Sequence, residues 1–322
     1  MDKRLELISA VGIVPTIEID DEKKAVPLAK ALVAGGLPIA EVTFRTDAAE
    51  ESIHRISQEC PEVLVGAGTV LTCKQVDMAL EAGSKFIVTP GFHPEVIRYA
   101  LSKGALVIPG TSTPGEMEQA MGLGLNVVKF FPAEQNGGAA KLKALTGPYK
   151  TLKWLPTGGI DTAKINEYLS CDQVLACGGS WMAKQELIKN EDWNGITALC
   201  KETVRTMMGF KVVHVGINCK DAAGAEQVSR LFCFLFDVPY LPNETAIFAG
   251  SLVECIKGPY LGAHGHIAIG THNVDRAVYQ LKNRGVIFDE SSRKVDAQGH
   301  TTLIYFKEEI GGFALHLVKS KP

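Results

Sequence analysis

The chain has 322 residues, enough for about two domains at roughly 150 residues each. Its 33 Lys and Arg against 36 Asp and Glu leave a net charge of −3. That balance removes the electrostatic case for nucleic-acid binding, which needs a basic face to neutralise phosphates. Charged residues make up 21% and apolar residues 46%, which excludes wholesale disorder. The longest run without a formal charge, 258–274, holds three His and four Gly and does not read as a bilayer span. Met1-Asp2-Lys3-Arg4-Leu5-Glu6 is followed by no apolar h-region, so no secretion signal is expected. Eight Cys, at 60, 73, 171, 177, 200, 219, 233 and 255, include no Cys-x-x-Cys pair. They read as reduced cytosolic thiols rather than a disulfide framework or a zinc site. The expectation is a cytoplasmic enzyme that binds neither nucleic acid nor membrane.

From residue 11 to about 208, short apolar runs alternate with amphipathic stretches. The predicted strands are 12–19, 39–45, 64–70, 86–90, 106–109, 127–132, 154–156 and 174–176. Between them lie helical spacings such as Ala25, Leu28, Ala29, Leu32 and Val33, or Val76, Ala79, Leu80 and Ala82. Strands that alternate with helices must pair in parallel, because each return to the sheet edge needs a crossover. Eight such units in about 200 residues predict a (β/α)8 TIM barrel within an α/β class. A doubly wound sheet is the alternative. Its only candidate dinucleotide loop, Gly66-Ala67-Gly68, lacks a third glycine and an acidic partner.

A barrel places its chemistry at the C-terminal strand ends. In the second strand Glu41, Thr43 and Arg45 share one face, while Val42 and Phe44 share the other. The apolar pair should meet the helices and the polar trio should point inward. A surface strand shows the same alternation, but a parallel barrel strand has no solvent face. In the sixth strand Lys129 stands alone within Val127-Val128-Lys129-Phe130-Phe131-Pro132. Desolvation drives such a lysine toward the neutral amine, the nucleophile that forms Schiff bases with carbonyl compounds. A lysine at a strand end that reaches out to water is the equal alternative. Thr157-Gly158-Gly159-Ile160-Asp161 and Gly178-Gly179-Ser180 follow the last two strands. Paired glycines there let backbone N–H groups, helped by a following helix N-terminus, approach a phosphate.

Several of these segments together resemble one family. They are 39–46 (Ile-Ala-Glu-Val-Thr-Phe-Arg-Thr), Val65-Gly66-Ala67-Gly68-Thr69-Val70, Val88-Thr89-Pro90-Gly91, Lys129-Phe130-Phe131-Pro132-Ala133-Glu134 and Pro156-Thr157-Gly158-Gly159-Ile160. They are similar, in order and across about residues 1–205, to the 2-keto-3-deoxy-6-phosphogluconate and 4-hydroxy-2-oxoglutarate aldolases. The resemblance implies a class I, metal-independent aldolase acting on a small 2-keto acid as a homotrimer. It makes Lys129 the Schiff-base lysine and Glu41 the general acid/base. Arg45 and Thr69 would hold the keto-acid end, with Pro90, Phe131 and Thr157 also lining the substrate. Gly158, Gly159, Gly179 and Ser180 would surround the phosphate or distal end. The alternative function is a phosphosugar isomerase or synthase barrel that uses the terminal phosphate loops, with the rest of the chain as a ligand sensor.

After Met207-Met208-Gly209 aromatics and His become denser. His214-Val215-Gly216-Ile217-Asn218 and His266-Ile267-Ala268-Ile269-Gly270 align with an offset of 52 residues. Each precedes a helical stretch, 224–236 and 274–284, and then strand-like runs that end at 252–256 and 313–317. The domains expected are therefore the barrel at 1–208 and a smaller α+β domain at 211–322. Two βαβββ modules resemble the glyoxalase-like, vicinal-oxygen-chelate superfamily. That resemblance implies a possible divalent metal on His214, Glu254, His266 and His316, although the last position is more often Glu in the superfamily. Imidazole and carboxylate ligands suit zinc, nickel, iron or manganese. A metal-free module used for assembly or ligand sensing is the alternative.

Overall fold

The computed structural model describes residues 2–320 and divides into two compact units, 1–207 and 208–322. The first unit begins with α1 (Lys3–Val11), β1 (Ile13–Ile17), α2 (Ala25–Ala34), β2 (Ile39–Thr43), α3 (Ala49–Glu59) and β3 (Leu64–Gly68). It continues with α4 (Cys73–Glu81), β4 (Ile87–Val88), α5 (Pro94–Ser102), β5 (Val107–Ile108), β6 (Gly110–Thr111), α6 (Pro114–Gly122) and β7 (Val127–Phe130). It ends with α7 (Gly138–Leu145), β8 (Lys153–Pro156), α8 (Ile165–Leu169), β9 (Cys177–Gly179), α9 (Gln185–Lys189) and α10 (Trp193–Met208). No helix among the described residues is long and apolar enough to cross a membrane.

Every pairing among these strands is parallel, in the orders β5-β4-β3-β2-β1-β9 and β6-β7-β8. Two bridges, Trp154 with Val174 and Thr157 with Gly178, join β8 to the segment that ends in β9. β5 and β6 are one crossing interrupted at Pro109, which has no N–H for a ladder but whose carbonyl accepts from Lys129 N at 2.8 Å. The sheet therefore closes into a (β/α) barrel. α2 turns Ala25, Leu28, Ala29 and Leu32 inward, and α4 does the same with Val76 and Ala79. A capping box between Thr113 and Glu116 starts α6.

One strand differs from expectation. The eighth meets β8 at Val174, within the expected 174–176, but pairs with β1 over Cys177–Gly179, so Gly178 and Gly179 are strand residues rather than a turn. Glycine normally weakens a strand, but here neighbours fill the space a side chain would need. A Cβ on Gly178 would lie 2.3 Å from Thr157 Oγ1, and one on Gly179 would lie 2.1 Å from the Trp181 ring.

The second unit contains β10 (Lys211–Asn218), α11 (Ala222–Phe236), β11 (Tyr240–Pro242), β12 (Ala246–Ala249) and β13 (Val253–Ile256). These are followed by β14 (Gly265–Thr271), α12 (Val274–Lys282), β15 (Phe288–Val295), β16 (Thr301–Phe306) and β17 (Phe313–Lys319). The strands form one eight-stranded sheet, ordered β11-β12-β13-β10-β14-β17-β16-β15. β10 and β14 pair antiparallel at its middle, and each pairs in parallel on its outer side, with β13 and β17. A small core of Cys219, Ala225, Ile247 and Cys255 sits between α11 and its strands.

The barrel's tightest backbone approach is at Gly110, where a Cβ would lie 2.2 Å from the Pro90 carbonyl oxygen. Backbone cannot swing aside as a side chain can. Gly110→Ala should cost about 1–3 kcal/mol, the usual range for overpacking. A fall in the midpoint of thermal unfolding would register that cost, and an unchanged midpoint would refute the fit.

Candidate active site and candidate metal centre

The C-terminal ends of the barrel strands surround a cavity of about 260 Å³. At the bottom of this end of the barrel Lys129 Nζ stands 3.1 Å from Glu41 Oε1, with the lysine 5% and the glutamate 0% exposed. β2 and β7 carry the two groups, and the inward face of β2 is the one that holds Glu41. The second carboxylate oxygen accepts from Thr16 Oγ1 of β1 at 3.4 Å. Gly68 makes room for the pair, since a Cβ there would lie 2.4 Å from Glu41 Oε1. The Phe131 ring covers the lysine, its centroid 5.3 Å from Nζ. A buried ammonium beside a buried carboxylate can pass its proton across and leave two neutral groups, which frees the amine lone pair.

Above this pair, Arg45 Nε donates to Thr69 Oγ1 at 3.3 Å. Thr69 has φ +55, a left-handed conformation that a β-branched residue rarely adopts. Gly158 and Gly159 also have positive φ, +103 and +74, and wrap against Pro132 and Glu134. Glu134 is held by Lys164 Nζ at 2.6 Å and by the Tyr168 hydroxyl, and these contacts lower its carboxyl below the usual range.

Arg45, Phe131, Thr157, Gly158, Gly159, Gly179 and Ser180 all line the cavity. Thr69 joins it only through Arg45. Pro90 is not in the lining; its backbone abuts Gly110 instead. The helix N-terminus expected behind the Gly158-Gly159 loop is absent from it, whereas α9 starts at Gln185, itself in the cavity lining. α8 begins only at Ile165, and Asp161 instead accepts from Ala163 N and Lys164 N at 3.0 and 3.2 Å. Thr16, Glu18 and Gln185 also line the cavity and were not singled out from the sequence. Period two along 12–19 gives the signal for the first two, because Thr16 and Glu18 fall on one face of an otherwise apolar strand.

The second unit gathers the other set. β13, β10, β14 and β17 are adjacent and carry Glu254, His214, His266 and His316 in that order. In the register, Gly216 opposes both Glu254 and His266, while Ala268 opposes both His214 and His316. Small residues at those two crossing points leave room for the rings; a Cβ on Gly216 would lie 2.2 Å from His266 Cε1. His214 Nε2 and His266 Nε2 are 3.0 Å apart, and Glu254 Oε2 lies 3.4 and 3.1 Å from them. One nitrogen from each of the three imidazoles falls within 4.8 Å of the others. Ligand atoms 2.0–2.1 Å from a shared ion stand about 3.0–3.4 Å apart, a spacing that the His214, His266 and Glu254 atoms match. Neither His316 nitrogen nor His266 Nδ1 has a hydrogen-bond partner, although all three are buried. His316 therefore has an acceptor nitrogen with no donor to answer it, which suits a cation. Burial, with His266 and His214 adding to it, pushes the His316 imidazole down to about 3, and burial also lowers His214. The Tyr305 ring stacks on His316 at 4.7 Å, and Phe248 meets His214 edge-on at 5.6 Å.

Comparison with known proteins bears on the first unit. The family model for KDPG and KHG aldolases matches residues 5–199. The 2-dehydro-3-deoxy-phosphogluconate aldolase of Treponema pallidum is 46% identical over 200 residues, 62% of this chain and 95% of its own length. The KHG/KDPG aldolase of Escherichia coli K12 is 43% identical over 198 residues, 62% of this chain and 93% of its own. The crystal structure of the KDPG aldolase from Legionella pneumophila, with pyruvate captured as a covalent carbinolamine, superposes with a TM-score of 0.60 at 38% identity. It covers 62% of this chain and 97% of its own.

The histidine cluster carries a pH signature. His316 stays neutral in the fold down to about 3, whereas in the unfolded chain it takes a proton near its ordinary 6.5. Between those values the unfolded state binds the extra proton, so stability falls as pH falls through that window. Urea unfolding in EDTA at pH 7, 6 and 5 should show the second unit weakening. His316→Gln should flatten that dependence, and an equal slope in both proteins would remove His316 as its source.

Proposed function

Because the chain belongs to the KDPG and KHG aldolase family over most of its first unit, we propose that it cleaves 2-keto-3-deoxy-6-phosphogluconate, 4-hydroxy-2-oxoglutarate or both, the aldehyde being glyceraldehyde 3-phosphate or glyoxylate. The products are pyruvate and an aldehyde, in a cytoplasmic, homotrimeric enzyme. The single observation that carries this reading is the buried Lys129–Glu41 pair, which the cavity-lining Phe131 ring covers. Lys129 adds to the C2 ketone and loses water, giving a protonated imine that withdraws electrons from C3. Glu41, directly or through a water, takes the proton of the C4 hydroxyl. The C3–C4 bond then breaks, its electrons passing into the enamine, and the aldehyde leaves. Reprotonation at C3 and hydrolysis release pyruvate. Thr16 steadies the carboxylate, and Gly68 lets it reach the lysine. Arg45 offers a planar fork to the substrate carboxylate, with Thr69 orienting it. The substrate's distal end extends toward Thr157, Gly158, Gly159, Gly179 and Ser180, which supports positioning of the scissile bond over the imine.

The second unit is read as a glyoxalase-like module in which His214, Glu254, His266 and His316 would hold a divalent cation. Such a cation supplies Lewis-acid activation of a bound oxygen. Nothing in the aldol cycle calls on it.

Pyruvate with borohydride should add irreversibly to Lys129, located by mass spectrometry after digestion. An adduct on another lysine, or none, defeats the mechanism. Glu41→Gln should lower kcat by about 10²–10⁴-fold, the usual worth of a positioned acid/base. For the second unit, full-length protein titrated with Zn²⁺ should take up the ion at one site. His214→Ala with His266→Ala should abolish that uptake while pyruvate release survives EDTA. Loss of pyruvate release in EDTA would overturn this division of labour.

A further inference from the structure

The Gly158-Gly159 turn is shaped from behind. Ala133 N donates to the Thr157 carbonyl at 2.8 Å and Glu134 N to the Gly158 carbonyl at 3.1 Å, so residues 133–134 take up the carbonyls on that side. Among the described residues, no protein acceptor meets the N–H groups of Gly159 and Ile160, both of which line the cavity. Such free backbone donors are what an anion needs. The Glu134 side chain lies directly against the back of the turn, for a Cβ on Gly159 would fall 2.8 Å from its Cβ and Cγ. Its carboxylate is held outside the lining by two groups at the start of α8. Lys164 Nζ is 2.6 Å from Oε2, and the hydroxyl of the fully buried Tyr168 donates to Oε1.

An acid at this place works against the cradle in front of it. A phosphorylated tail carries about two negative charges, and the turn meets it with neutral N–H groups. The Glu134 carboxylate, one residue's thickness behind them, would repel it if left bare. Lys164 cancels that charge, and Tyr168 fixes the second oxygen on the side away from the cavity. Resting on the aldolase reading, we infer that Lys164 is a positioning residue for the phosphate end of the substrate: it holds back and neutralises Glu134, so that the Gly158-Gly159 turn accepts a phosphate. The lysine side chain is 39% and the glutamate 24% exposed, so solvent screens the pair and its loss weakens phosphate binding without abolishing it.

The test compares kcat/KM of the full-length enzyme for 2-keto-3-deoxy-6-phosphogluconate and for the same acid without its phosphate. The wild type should favour the 6-phosphate. Lys164→Met leaves a bare carboxylate behind the turn and should cut that preference about tenfold, through KM, while the unphosphorylated acid responds several-fold less. Adding Glu134→Gln removes the uncompensated charge and should restore most of the preference. A merely structural role would lower both substrates together and leave the double variant no better than Lys164→Met. A wild type that does not favour the 6-phosphate, an unchanged ratio in Lys164→Met, or no recovery in the double variant overturns the inference. Trapping of pyruvate on Lys129 does not involve the tail, so it separates the two failures. An adduct together with any of those three results overturns the role of Lys164 alone, whereas no adduct overturns the aldolase reading and this inference with it.

Discussion

A lysine and a glutamate held 3.1 Å apart in a nearly waterless space set the terms for the first unit. Neither charge would be tolerable there alone, because desolvation of a single ion costs several kcal/mol. Together they are tolerable, and only while both stay in place. β2 and β7 sit on opposite sides of the closed sheet, so the barrel must close before the pair exists. The glycines at 66, 68 and 110 serve this closure by admitting the Phe86 ring, the Glu41 carboxylate and the Pro90 carbonyl where side chains would collide.

Charge is arranged in two tiers around that pair. The lower tier, Lys129 with Glu41, is buried; the upper tier, Arg45 with Glu18, is open to solvent. The upper tier tolerates change because water screens it, and the lower one does not.

Much of the barrel was legible because its strongest signals are local. A lysine among Val127, Val128, Phe130 and Phe131 contradicts its surroundings, and the alternation Glu41, Thr43, Arg45 needs only the period of a strand. The eighth strand was cut short because propensity reads Gly178-Gly179 as a turn, while the true reason for those glycines lies in Thr157 and Trp181. The Glu18–Arg45–Gln185 grouping joins three separate segments, and nothing local announces it. In the second unit the 52-residue echo located His214 and His266. The orphaned nitrogens of His316 emerge only once burial is known.

The sheet of the second unit draws its four polar side chains from four neighbouring strands, two on each side of the β10–β14 seam. Neither half carries more than two of them. An ion held there would act as a clasp whose grip exists only when both halves have met in register. Slippage by one residue would turn a histidine to the opposite face and open it. The cluster would thus couple recognition of an ion to correct assembly of the whole sheet, a proofreading of fold by coordination.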